Sequence, residues 1–198
     1  MADTTRTFVA IPLPDPVTAA ISRLTTRLAV EMPGARWLTS SSLHLTLAFL
    51  GDVDQKDLMP VCQATAAAVR SIDPFSLRVA GLGAFPELNS PRVLWAGITG
   101  DALPQLSELH SAVSRAVKMA GYPTDERFTP HLTLARFKPG KLGVPDLTDV
   151  PGRFARWMAG DLLVGEVVTY SSTLTGDGPE YTPLARAPLM GASGKTPS

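Results

Sequence analysis

The string His-Leu-Thr-Leu-Ala occurs twice in this chain, at residues 44–48 and again at 131–135. The chain has only three histidines, so recurrence of a histidine-led five-residue string does not follow from composition and points to an internal duplication. Both copies read as strands: Leu, Thr and Phe dominate them, and Leu43, Leu45, Leu47 and Phe49 alternate around the first histidine. Successive side chains in a strand point to opposite faces. His44 and Thr46 therefore share one face, as do His131 and Thr133, and the leucines take the other. A half-buried strand with a polar outer side accounts for one such copy; it does not account for two identical ones.

The remaining pattern fits a duplicated fold. Residues 6–12 read as a strand stopped by prolines, and Asp15-Pro16 as the start of a helix whose buried stripe is Val17, Ala20, Ile21, Leu24 and Leu28, ended by Pro33-Gly34. After the first motif strand, Asp54 is placed to cap a second helix with Leu58, Val61, Cys62, Thr65 and Val69 inside. Residues 75–82 and 92–98 form a hairpin. A third helix runs from Asp101 to Gly121 with His110 on its apolar stripe, which reads as a partly buried, hydrogen-bonded core histidine. The second motif strand follows, then a Gly/Pro-rich loop over 139–145, a short helix near 153–158, a strand over 162–170 and a last strand over 181–188. Strand, helix, motif strand, helix, strand thus occurs over about 6–82 and recurs over about 92–170. The expected fold is α+β: two pseudo-symmetric lobes, each an antiparallel-type sheet with covering helices, and an active-site cleft between them. Residues 1–190 are expected to form one bilobal domain, and 191–198 a flexible tail.

Bulk properties narrow the function classes. With 18 basic and 18 acidic residues the net charge is zero, so no chain-wide basic field exists to hold a long nucleic acid, and a small or terminal substrate fits better. The lone Cys62 excludes an internal disulfide and a thiol-rich metal site, and reads as a packing residue. No run of 18 apolar residues and no secretory leader is present, so the expectation is a cytoplasmic protein without membrane contact, monomeric and with no protein partner implied.

Two imidazoles facing each other across a cleft are suited to general acid and general base work, because imidazole titrates near neutral pH. Displacement at phosphorus needs attacking and leaving oxygens on opposite sides, and pseudo-symmetry supplies that opposition. The two threonine hydroxyls would hold non-bridging oxygens. Zinc is the chemical rival for a histidine pair, but it usually takes three protein ligands and neither motif carries a Cys, Asp or Glu at ligand spacing. The expectation is no metal and no cofactor.

The paired motifs resemble the two-histidine (2H) phosphoesterase superfamily. Together with RTFVA at 6–10, LHLTLAFLG at 43–51, RVLWAG at 92–97 and FTPHLTLAR at 128–136, they resemble its LigT-like RNA 2′,3′-cyclic phosphodiesterases, also called 2′-5′ RNA ligases. The resemblance implies metal-independent hydrolysis of an RNA terminal 2′,3′-cyclic phosphate to a 2′-phosphomonoester, with a reversible 2′-5′ ligation. It implies His44 as proton donor and His131 as proton acceptor, with Thr46 and Thr133 on the phosphate; in the sequence itself the two histidines are equivalent. The implied partner is an RNA 3′ end or a nucleotide bearing the cyclic phosphate. Small cyclic phosphates, such as cyclic nucleotides or ADP-ribose cyclic phosphate, and a non-catalytic RNA-end binding module are the alternatives.

Two arginines are candidates for the phosphate. The resemblance points to Arg136, yet strict strand parity puts it with Leu132 and Leu134, away from His131, unless a bulge turns it back. Arg127 has the right parity if its segment stays extended, and on that ground is the favoured contact. Phe8, Phe49 and Phe137 are candidates to stack a base.

Overall fold

A computed structural model describes residues 3–124, 127–138, 145–176 and 178–191. The motif strands anchor it. β1 (Thr4–Pro12) pairs antiparallel with β3 (His44–Asp54), and β5 (Val93–Thr99) with β6 (His131–Arg136). Leu45 and Leu47 of one motif and Leu132 and Leu134 of the other are buried in the core, while the His and Thr of each copy stay half-buried on the opposite face. The alternation read from the sequence is therefore the alternation of burial.

Two antiparallel sheets result. The first has the order β3-β1-β8-β9, with β8 Glu166–Thr175 and β9 Gly178–Pro188; the second has the order β2-β6-β5-β4-β7, with β2 Arg36–Trp37, β4 Phe75–Phe85 and β7 Met158–Val164. Aligning motif strand with motif strand matches β3-β1-β8-β9 to β6-β5-β4-β7. The third strand of each half has crossed over: β4, early in the chain, lies in the second sheet, and β8, late in the chain, lies in the first. The residues over 162–170, expected as one strand, are split at Gly165 into β7 and β8, which belong to different sheets. A two-sided apolar run cannot report such a crossing, because both sheets bury it.

The helices follow their stripes. α1 (Asp15–Glu31) buries Val17, Ile21, Leu24 and Leu28 and packs on β7. Its cap is Pro14 rather than Asp15, which sits in the first turn where a carboxylate complements the helix dipole. α2 (Gln55–Val69) and α3 (Leu103–Met119) pack on each other, α2 also touching β9 and α3 touching β3. Asp54 occupies the cap of α2 without a side-chain capping bond; its backbone N–H donates to the Tyr122 hydroxyl instead. The short helix is α4, Val150–Arg153, ahead of its expected place because residues from Met158 onward are already strand. The loop expected at 139–145 falls largely on residues outside those described, as does most of the tail over 191–198.

Candidate active site

The two motif faces meet in one cleft of about 380 Å³. His44, Thr46, His131 and Thr133 all line it, together with Arg6, Phe8, Phe49, Arg136 and Tyr181. Cross-strand register explains why. Pro12, Ala10, Phe8 and Arg6 of β1 lie opposite His44, Thr46, Phe49 and Asp52 of β3 and share their face. In the second sheet, Gly97 and Trp95 lie opposite His131 and Thr133.

Each motif carries a β-bulge at the same position. Thr46 pairs with Ala10 but Ala48 with Val9, leaving Leu47 extra; Thr133 pairs with Trp95 but Ala135 with Leu94, leaving Leu134 extra. An extra residue reverses parity beyond it. Ala48 and Ala135 are accordingly buried beside the leucines, and Phe49 and Arg136 emerge on the histidine face. Arg136 is thus in the cleft despite strict alternation. Arg127 is not: it lines an adjoining pocket of about 300 Å³ that shares Thr46, Phe49 and His131 with the cleft and is otherwise walled by residues such as Phe85, His110 and Phe128. The placement differs from strict parity because the segment before His131 is not a strand and the bulge after Thr133 reverses the parity of Arg136, so that Arg136 lines the cleft and Arg127 the adjoining pocket.

Both imidazoles are held from the backbone two residues upstream. His131 Nδ1 lies 2.7 Å from the Thr129 carbonyl, to which it donates, leaving Nε2 as the free nitrogen of the neutral ring. His44 makes the matching hydrogen bond to the backbone of Ser42. Their surroundings then diverge. His44 stacks on Phe8 at 4.7 Å and meets the Tyr181 ring edge-on at 5.1 Å. Burial pushes its pKa down to about 4; the Ser42 bond opposes this, and the Arg136 charge adds to it. His44 is therefore neutral in the empty cleft at pH 7. His131 meets only the edge of Phe85, at 4.9 Å, with Trp95 farther off at 6.5 Å.

The other candidates sort cleanly. His110 is buried, stacked on Phe128 at 4.1 Å and 3.3 Å from the Ser114 hydroxyl, as expected of a core histidine. Phe137 is core, Phe8 is buried beneath His44, and Phe49 stays largely exposed at the cleft wall. Cys62 is half-buried on α2, its thiol pKa raised by burial. Among the described residues no three His, Cys, Asp or Glu side chains gather around a common point. Arg6 and Tyr181 were not anticipated in the cleft. Arg6 was signalled only by sharing parity with Phe8, and Tyr181 arrives on β9 through a pairing that no local pattern encodes.

Two sheets presenting mirrored His-x-Thr faces to one cleft define a two-histidine phosphoesterase. The family profile described as LigT-like phosphoesterase matches residues 11–95 and 97–181, one copy per half, and the chain belongs to that family. An RNA 2′,3′-cyclic phosphodiesterase of Geobacillus stearothermophilus is 36% identical over 188 residues, covering 93% of this chain, which spans 57% of that relative's length. One from Thermotoga maritima is 31% identical over 186 residues, covering 94% of this chain and 96% of its own. Among solved structures, E. coli LigT complexed with 3′-AMP superposes with a TM-score of 0.74 at 26% identity, covering 94% of this chain and 99% of that one. A crystal structure of a Thermus thermophilus protein gives 0.72 at 30% identity, covering 94% and 98%.

Proposed function

We propose that this protein hydrolyses the 2′,3′-cyclic phosphate at an RNA 3′ end to a 2′-phosphomonoester, without a metal or other cofactor. The observation that carries the reading is the convergence of both His-x-Thr faces on one cleft. Relatives named RNA 2′,3′-cyclic phosphodiesterase over most of this chain support the substrate class.

In this mechanism the Thr46 and Thr133 hydroxyls donate to the non-bridging oxygens, with Arg136 neutralising their charge. His131, through its free Nε2, takes a proton from water as the water oxygen attacks phosphorus. The bond from phosphorus to O3′ breaks, and His44 passes its proton to O3′, leaving a 2′-phosphate and a 3′-hydroxyl. A 5′-hydroxyl in the water's place would instead form a 2′-5′ link. Because His44 is neutral in the empty cleft, it must gain its proton with the substrate: an anionic phosphodiester beside a buried imidazole favours the charged form.

The test is an oligoribonucleotide ending in a 2′,3′-cyclic phosphate, incubated with the protein in excess EDTA and analysed for product. A 2′-phosphate end formed at an undiminished rate is expected. A 3′-phosphate end would contradict the assignment of roles, and activity abolished by EDTA and restored by zinc would overturn the metal-free mechanism.

A further inference from the structure

The cleft carries more positive charge than one phosphate requires. Arg136 stands at the histidines, but Arg6 does not: on β1, Ala10 is level with Thr46, and Arg6 lies four residues further on, about 13 Å of strand at its usual rise. Its backbone thus stands well along the strand from the threonines, while its side chain lines the same cleft. Arg36 does not line the cleft but lies against its wall. It packs so closely on Gly178 that a Cβ there would fall 2.7 Å from Nη2, and the next residue, Pro179, lines the cleft. Arg36 and Arg136 are also paired directly across the β2–β6 ladder, where like charges repel.

Among the described residues these charges have no carboxylate counter-ion. Arg78, Arg153 and Arg186 each meet a carboxylate, whereas among the described residues none of Arg6, Arg36 and Arg136 does, even though Asp52 stands level with Arg6. All three converge toward one side chain: burial raises the pKa of the Tyr181 hydroxyl, and Arg136, Arg6 and Arg36 each pull it back down. Three guanidinium groups with no carboxylate partner among the described residues, acting on one tyrosine whose ring also meets His44 at 5.1 Å, form a place for an anion.

We propose that Arg6, Arg36 and the Tyr181 hydroxyl form a second anion subsite, which binds the phosphate on the 5′ side of the nucleoside whose cyclic phosphate occupies the histidine site. This deepens the phosphodiesterase reading and rests on it. The bound group is either the phosphodiester linking the penultimate nucleotide or a free 5′-phosphate. The subsite lets a chain of zero net charge grip an RNA end locally, without a basic surface elsewhere.

Three substrates separate the possibilities: a nucleoside 2′,3′-cyclic phosphate with a 5′-hydroxyl, the same compound with a 5′-phosphate, and a dinucleotide ending in the cyclic phosphate. The second phosphate is expected to lower KM by about tenfold to a hundredfold with kcat little changed, one to two charge-assisted bonds being worth that much. The advantage should shrink from 0.1 to 1 M salt, as the screening length falls from about 10 to about 3 Å. If only the dinucleotide gains, the source is the chain phosphodiester; if both gain equally, any 5′-side phosphate serves. In R36A and R6A the KM advantage should disappear, and R36K should restore part of it. Equal KM for all three substrates in the wild type would overturn the proposal, as would an R36A or R6A loss that falls equally on every substrate. Should none be hydrolysed, the phosphodiesterase reading fails on its own. The subsite is then judged by calorimetry, where a nucleoside 2′,5′-bisphosphate should outbind the 2′-monophosphate in the wild type and not in R36A.

Discussion

His44 shows how far the protonation of an imidazole is set by surroundings that a motif does not contain. Its sequence context is identical to that of His131, yet Phe8, Tyr181 and Arg136 hold its pKa at about 4 in the empty cleft. The linkage has a definite sign. A folded-state value below the ordinary 6.5 means that the unfolded chain binds the extra proton first, so this contribution to stability is complete above about pH 6.5 and is lost as pH falls toward 4. At 1.36 kcal/mol per unit the limit is about 3 kcal/mol. Urea midpoints compared at pH 7 and pH 4.5 should show the wild type losing more stability than His44→Gln; equal losses would mean that the ring is not desolvated. The same environment predicts that substrate brings a proton with it. In His131→Ala, which retains the cyclic diester, binding measured by calorimetry in buffers of different ionisation enthalpy should take up protons near pH 6.5, and the further change His44→Ala should abolish the uptake. Binding with no uptake would leave His44 without a proton to donate. His110, in contrast, was legible as a core residue from its place on an apolar helical stripe, and His110→Phe is expected to keep kcat within about twofold, whereas a large fall would put it in the chemistry.

At the scale of elements, the strand faces were legible and the bulges were not. Period-two alternation placed His44 with Thr46 and His131 with Thr133, because burial of the intervening leucines imposes it. Nothing in Leu-Ala marks an extra residue: neither Leu47 nor Leu134 is a glycine or flanked by one, and the two-against-one register depends on the partner strand. That is why Arg136 looked misplaced and Arg127 looked suitable. The duplicated bulge also gives the cleft its asymmetry, since the residue it turns inward is Phe49 in one copy and Arg136 in the other. Beneath the second motif, Gly83 leaves room for the Trp95 indole; a Cβ there would lie 2.2 Å from a ring carbon. Gly83→Ala is therefore expected to displace Trp95, cost about 1–3 kcal/mol in urea unfolding and lower turnover by disturbing the floor under His131. An unchanged midpoint would show that the indole moves freely.

At the scale of the molecule, the α+β class and the shared cleft were legible, because a duplicated half-buried polar face implies two similar lobes whose faces can meet in one cleft. The crossing of β4 and β8 was not, since pairing partners far apart in sequence leave no local trace. The crossing means that neither sheet is built from one half of the chain. All three tryptophans lie in or beside the second sheet, and His44 lies in the first. Tryptophan fluorescence and the His44 imidazole resonance should accordingly report the same urea midpoint, and separate midpoints would mean that the lobes unfold independently. The central claim is that two imidazoles from two sheets act as one unit on one phosphorus atom. It is tested most directly by single-turnover rates on an RNA cyclic-phosphate end for the wild type, His44→Ala, His131→Ala and the double variant. Each single change is predicted to slow the reaction by about 10²–10⁴-fold, and the double variant to be little slower than the worse single one. A single variant that keeps wild-type turnover, or losses that simply multiply in the double variant, would contradict it.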